Sequence, residues 1–258
     1  MIFMESIINL CSNFFSKYNE FMNKMNISPH YDEKLRNIEF EIRDDLEKIY
    51  YDYDNNKILI SRKFMEDEQF EFYFYRTLLD VLTTKKEGKI VYSGLSYSNE
   101  NNSKNIMFND MISNYICNSI TGIDIDDIKR VFIPKLEKII TSEEIVKMYF
   151  NNDIIKLVSY FEELGIDFNQ LSKNMDMLYN NGSDIENKNN SMGTIIDRML
   201  IDAIINKYAQ EKKDIIDYSS IEITNGLVLG HNGFDNISNN KLYYYNGLKN
   251  AVTLLLRH

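Results

Sequence analysis

The stretch from Gln69 to Thr84, QFEFYFYRTLLDVLTT, is helix-length and apolar on nearly every side. Between Phe72 and Leu82 only Arg76 and Asp80 are charged, and they stand four residues apart, about one helical turn. A helix that is apolar all round belongs in an interior rather than on a surface. Charges carried inside need a partner, because an unpaired buried ion is costly. The segment therefore predicts a buried helix over residues 65–84 that brings a paired Arg and Asp inward.

Composition narrows what this helix can belong to. Of the 258 residues, 44% are hydrophobic and 26% charged, as in folded globular domains. With 2 Pro and 10 Gly the chain has few tight turns, which favours helices, and its wealth of Ile, Asn and Lys fits a low-GC bacterial or phage coding background. The 39 acidic against 29 basic residues, net −10, leave no basic footprint for duplex nucleic acid, so no nucleic-acid partner is expected. The largest basic clusters, Lys85–Lys86 and Lys212–Lys213, are short and have acidic neighbours.

Cys11 and Cys117 lack metal-type spacing and read as buried thiols. The amino terminus has no basic region, and Glu5 interrupts its apolar run, so it reads as an amphipathic helix on Ile7, Ile8, Leu10, Phe14 and Phe15 rather than an export signal. No stretch reaches the roughly 18 apolar residues needed to cross a bilayer. A cytoplasmic location with no membrane span is the expectation.

The pattern along the chain predicts an α+β protein, predominantly α. It reads as a single domain with two lobes, residues 1–98 (α+β) and 99–258 (mostly helical). Residues 1–25 read as a helix. Ile38, Phe40 and Ile42 alternate like a strand, after which Leu46 and Ile49 take a helical spacing. Residues 50–53 and 57–61 flank the turn-prone Asp54-Asn55-Asn56 and predict a hairpin. Gly88 opens an extended segment, GKIVYSGLSY, and residues 99–105 read as a polar loop.

A helix over 109–121, with Ile112, Tyr115, Ile116 and Ile120 on one face, stops at Gly122. Thr141-Ser142-Glu143-Glu144 is a capping box for a helix over 142–150, and Asp153 caps the next, which carries Ile154, Leu157, Val158, Phe161 and Leu164. Residues 180–193 read as a linker or mobile loop. A helix over 194–217 presents Ile195, Met199, Ala203, Ile204 and Tyr208. A Gly-containing loop (225–240) and a final helix (242–257) close the chain.

Three features occur in order: a short strand ending at Ser61, the buried helix with YRTLLDVLTT, and a helix beginning FNDMISNYICNSITG. Together with the downstream VKMYFNNDIIKLV they resemble zincin metallopeptidases of the gluzincin type from low-GC Gram-positive bacteria, over residues 50–165. In that family one helix carries His-Glu-x-x-His, giving two zinc ligands and a general base, and a later helix carrying Asn-Glu gives a third ligand. Here Arg76 takes the first His position, Thr77 the Glu and Asp80 the second His, while Asn109-Asp110 stands where Asn-Glu would be. The resemblance implies a zincin-like core: a small sheet within residues 38–97 packed on the motif helix, and a cleft beside an edge strand at 57–61.

The chemistry departs from the family at every catalytic position. Arg76 cannot bind a cation or deprotonate, and Thr77 is no general base at neutral pH. His30, His231 and His258 are scattered. The sequence thus predicts no catalytic residue, no metal and no cofactor at this site. A guanidinium at 76, between Asp80 and Asp110, would restore the charge balance that loss of a divalent ion upsets. The plainer reading is an i, i+4 Arg–Asp pair serving only its own helix.

The implied function is a pseudo-metallopeptidase that binds a protein or peptide partner or acts as a scaffold. The alternatives are a hydrolase using carboxylates and a divalent metal elsewhere, and a helical interaction protein unrelated to zincins. Weaker candidates read as structural. They are the Gly226–Gly233 segment as a turn-rich connection, Asp124, Asp126 and Asp127 as a helix N-terminal cluster, Tyr243–Tyr245 as packing, and Ser219-Ser220 with His231, which has no acyl-transfer arrangement.

Overall fold

The computed structural model describes residues 2–29, 31, 33–100, 102–123, 132–180 and 186–211. Within them the chain is α+β and mostly helical. The loop at 225–240, the final helix at 242–257, the three histidines, the Asp124–Asp127 cluster, Lys212–Lys213 and the Tyr243–Tyr245 run lie outside the described residues.

Helix α1 spans Ile2–Lys24 and buries Ile7, Phe14, Tyr18, Phe21 and Met22. These positions follow i, i+3/i+4 spacing, so they form one stripe. Ile8, expected on that stripe, is 60% exposed. It lies at the margin of the stripe, about 120° round the helix from Phe14.

Strands β1 (Glu39–Arg43), β2 (Ile49–Asp52) and β3 (Lys57–Ser61) form a three-stranded sheet in the order β1-β3-β2. The hairpin β2–β3 is antiparallel as expected, and β1 pairs parallel on the far side of β3. Two expectations are corrected here. Leu46 and Ile49 do not continue a helix: Leu46 sits in the connection whose carbonyl takes the Ser61 hydroxyl at 2.7 Å, and Ile49 opens β2. Residues 57–61 form the central strand, not an edge. A strand covered on both faces reads as an unbroken apolar run, and Ile58, Leu59 and Ile60 are all buried. The edges β1 and β2 carry the charged and tyrosine residues.

Helix α2 spans Phe70–Thr83 and begins later than 65. Phe64–Glu66 form a short 3-10 turn, and the Asp67 carboxylate takes the Gln69 N–H at 2.8 Å, which fixes the start. Ten of its 14 residues are buried, so a helix apolar on all sides is covered on all sides. Phe74 stacks on Phe40, and Tyr75 on Phe14 of α1.

A second, four-stranded antiparallel sheet follows, β4 (Lys85–Glu87), β5 (Ile90–Ser93), β6 (Ser96–Asn99) and β7 (Asn102–Lys104), in sequence order. The single extended segment expected at 88–97 is thus two strands. The expected polar loop at 99–105 contains a third, and β4 was not anticipated.

Helix α3 (Ile106–Thr121) stops at Gly122, whose φ of 72° suits a left-handed cap. Beyond it lie α4 (Ile133–Ile139), α5 (Ser142–Asn151), α6 (Ile154–Glu163), α7 (Phe168–Asn180) and α8 (Glu186–Glu211). Thr141 and Asp153 cap α5 and α6 as predicted, accepting the N–H of Glu144 and Lys156. The linker expected at 180–193 is corrected, because residues 186–193 belong to α8. On α8 the buried stripe is Ile196, Leu200, Ala203 and Ile204, leaving Ile195 and Tyr208 nearly half exposed.

Three helix ends are closed by lysines from distant elements. Lys17 reaches the Thr121 carbonyl (3.1 Å), Lys34 that of Thr84 (2.6 Å) and Lys207 that of Ile139 (2.9 Å). Each ammonium meets the unpaired carbonyls and negative dipole of a C-terminus. A single cluster of buried side chains runs from Ile7 on α1 to Ile204 on α8, with α2 and α3 packed against each other inside it.

Candidate functional site

The residues singled out on α2 and α3 meet where the two helices pack. Arg76 is half-buried and turned away from solvent, with its side chain 19% exposed. Its Nη2 donates to Asp110 Oδ1 on α3 in a close ion pair, and its Nε donates to Ser113 Oγ at 3.3 Å. Ser113 is fully buried and also takes the Tyr149 hydroxyl of α5 at 3.1 Å. The guanidinium is thus held by two residues one turn apart on α3, and a tyrosine from a third helix backs one of them. Charge-assisted bonds in such surroundings are the strong ones.

The hydrogen bond to the Asp80 carboxylate comes from Ser93 Oγ of β5, at a long 3.5 Å. Burial is the main force raising its pKa, to about 6. The negative charge of Asp110 adds to it, while Arg76 and the Ser93 hydroxyl oppose it. For Arg76 burial pulls the pKa down, but the charges of Asp110 and Asp80 outweigh it, and the net shift is upward. The guanidinium stays charged and faces both carboxylates, though it grips only one.

Thr77 and Asn109 do different work. Thr77 is buried and donates its hydroxyl to the Tyr73 carbonyl at 2.8 Å, closing on its own helix. Asn109 accepts the Leu95 N–H at 2.7 Å through Oδ1 and so anchors the β5–β6 turn on α3. The neighbouring Gly94 has a φ of +56°, and a Cβ there would collide with Asn109 Oδ1 and the Tyr149 ring. Asn152 completes the joint, donating through Nδ2 to Thr83 O (2.8 Å) and Gly94 O (2.9 Å). Four elements, α2, α3, α5 and β5, therefore converge on one half-buried polar cluster.

Ser93, Ser113 and Tyr149 escaped the sequence reading. Each sits in an otherwise apolar or strand-like run, and Ser113 alone carried a signal, one turn beyond Asp110. Cys117, beside the cluster, is buried and its thiol is pushed up to about 12 by desolvation, with Asp80 adding and Arg76 opposing. Burial likewise raises Cys11 to about 11. Neither thiol is poised as a nucleophile.

A carboxyl shifted towards neutrality is what acid–base chemistry uses. Here, however, the Ser113 hydroxyl accepts from both Arg76 Nε and the Tyr149 hydroxyl. Among the described residues, no three His, Cys, Asp or Glu side chains gather in a way that could hold a metal ion. No described helix is long and apolar enough to cross a membrane. Comparison of the chain with family models, with curated proteins and with solved structures returned no match.

Proposed function

We propose that this chain is a catalytically inactive, zincin-like protein in which the guanidinium of Arg76 occupies the place of a catalytic cation, and that it binds polypeptide or serves as a scaffold. The observation that carries the reading is the ion pair of Arg76 with Asp110. It joins the position of the first zinc-binding His on one helix to that of the third ligand on the other. A positive group between two carboxylates keeps the helix pair together without a metal. The same group repels any cation that enters, so zinc-assisted hydrolysis is not open to this site.

A peptide laid along the sheet beside these helices would follow β2, the edge strand that packs against α2, because β3 lies inside the sheet. Strand addition of this kind uses main-chain hydrogen bonds and tolerates many sequences. The test has two arms. Metal analysis of the purified chain should find no stoichiometric zinc. Hydrogen exchange with binders selected from a peptide library should show protection on β2 and the adjoining end of α2. One equivalent of tightly held zinc, or protection confined to another surface, overturns the proposal.

A second reading, a helical interaction protein unrelated to zincins, is favoured by the central position of β3, since the zincin resemblance implied an edge strand there. Restoring the metal ligands, as set out in the Discussion, separates the two.

A further inference from the structure

The chain leaves the helical body at Thr84 and returns to it at Asn105, and the described residues between them form the four-stranded sheet. Both stem residues are buried and held by the body. The Asp80 carbonyl takes the N–H (2.8 Å) and the hydroxyl (2.6 Å) of Thr84, and Lys34 donates to the Thr84 carbonyl. The Asp176 carboxylate takes the Asn105 N–H (3.1 Å), and the Ser172 hydroxyl donates to the Asn105 side chain.

Between these stems the sheet is a thin layer. No residue of β4, β5, β6 or β7 is buried. Ile90, Val91, Tyr92 and Tyr97, its larger strand side chains, stand apart from the buried cluster that unites the helices. Strands this short with no buried face do not hold together by themselves. The sheet's apolar anchor is Leu95, fully buried in the β5–β6 turn. Three asparagines of the body pin that turn. Asn109 accepts the Leu95 N–H (2.7 Å), Asn105 donates to the Leu95 carbonyl (3.3 Å) and Asn152 donates to the Gly94 carbonyl (2.9 Å). Two further ties are slight. The Ser93 hydroxyl lies 3.5 Å from Asp80, and Lys86 makes an exposed pair with Asp54 above the Tyr53 ring.

We propose that the four-stranded sheet is a lid: it opens by local unfolding between Thr84 and Asn105 while the helical body stays folded, and it closes when the asparagines hold the Gly94–Leu95 turn. Opening uncovers Asn109 and the Tyr149 ring, both of which Gly94 approaches closely. Tyr149 donates to Ser113, which accepts from Arg76, so the lid closes over the approach to the charged cluster. The zincin reading plays no part, because only burial and hydrogen bonding around the turn enter.

Native-state hydrogen exchange of the full chain tests this, since a lid exchanges its amides without global unfolding. Protection of the β5 and β6 ladder amides should be at least about tenfold below that of the slowest amides of α3 and α7. Two variants separate lid from body. Ile116 is fully buried on α3, so Ile116→Val weakens the body in the open and closed forms alike. Helix protection should then fall about two- to tenfold, and sheet protection should stay level. Asn109→Ala strips the Leu95 N–H of its acceptor in the closed form alone. Protection of β5 and β6 should fall about tenfold, with the helices falling in step, because lid opening and global unfolding both start from the weakened closed state.

Sheet protection equal to that of the helices overturns the proposal. So does sheet protection that falls with theirs in Ile116→Val, or Asn109→Ala that leaves β5 and β6 at the wild-type level. If Asn109→Ala does not fold, the wild type and Ile116→Val decide.

Discussion

Arg76 on α2 pairs with Asp110 on α3, not with Asp80 one turn along its own helix. The pair therefore joins two helices rather than decorating one. That choice separates the cluster from an ordinary i, i+4 surface pair, which contributes a few tenths of a kcal/mol. Removing one partner of a buried pair leaves an uncompensated charge and costs about 3–5 kcal/mol, whereas replacing both with apolar groups of similar volume is far milder. Arg76→Met should thus lower the urea unfolding free energy by about 3–5 kcal/mol. Adding Asp110→Leu should recover a large part of that loss. Additive losses in the double variant would show that the two side chains do not act as a unit.

Gly94 should tolerate no side chain. Its φ of +56° already disfavours an L-residue, and a Cβ would overlap the Tyr149 ring and the Asn109 amide that anchors the β5–β6 turn. Left-handed strain of about 1–2 kcal/mol and overpacking of about 1–3 kcal/mol act together in Gly94→Ala. Gly88 has a similar φ of +61° with open space around its Cβ position, so Gly88→Ala should show the strain alone. Equal unfolding midpoints for the two variants would contradict the close packing of Asn109 and Tyr149 on this turn.

Helix α3 is capped from outside its own chain segment. Its leading residue Asn105 is left-handed, with φ 60°, and makes no side-chain cap. Instead the Asp176 carboxylate of α7 takes the N–H groups of Asn105 (3.1 Å) and Met107 (2.9 Å). An anion at a helix N-terminus meets both the unpaired N–H groups and the positive dipole. Asp176→Ala should cost about 1–2 kcal/mol, as lost caps do, and Asp176→Asn less, since one acceptor oxygen survives. Calorimetry giving Asp176→Ala the wild-type melting temperature would show the cap to be idle.

What the sequence disclosed was local. The buried helix, the hairpin around Asp54–Asn56, the stop at Gly122 and the caps at Thr141 and Asp153 each depend on residues within a turn or two of one another. What it hid depends on distant partners. Strands β4 and β7, KKE and NSK, have no apolar alternation and exist because β5 and β6 offer them edges. The central place of β3 follows from parallel pairing with β1, and the exposure of Ile8, Ile195 and Tyr208 from which helix packs on which face. At the site, both charges and Asp110 were visible in the sequence. Arg76's preference for Asp110 over Asp80, and the supporting Ser93, Ser113 and Tyr149, needed the packing of four elements to appear.

Installing the zincin ligand set is the sharpest way to weigh the zincin reading against an unrelated helical fold. The variant carrying Arg76→His, Asp80→His and Asp110→Glu places two imidazoles one turn apart on α2 and a carboxylate on the facing helix. Three such ligands with an open fourth position form a zinc site only if their separation suits metal bonds of about 2.0–2.2 Å. Arg76 already contacts Asp110 across this gap, so positions 76 and 110 face each other between the two helices. The variant should bind one zinc per chain by metal analysis and gain thermal stability on adding it, since a ligand bound only by the folded state stabilises it. Removing the metal with chelator should reverse the gain. A folded variant that holds no zinc would mean that these helices lack the geometry of the family, leaving the polar cluster as a structural joint between α2, α3, α5 and β5.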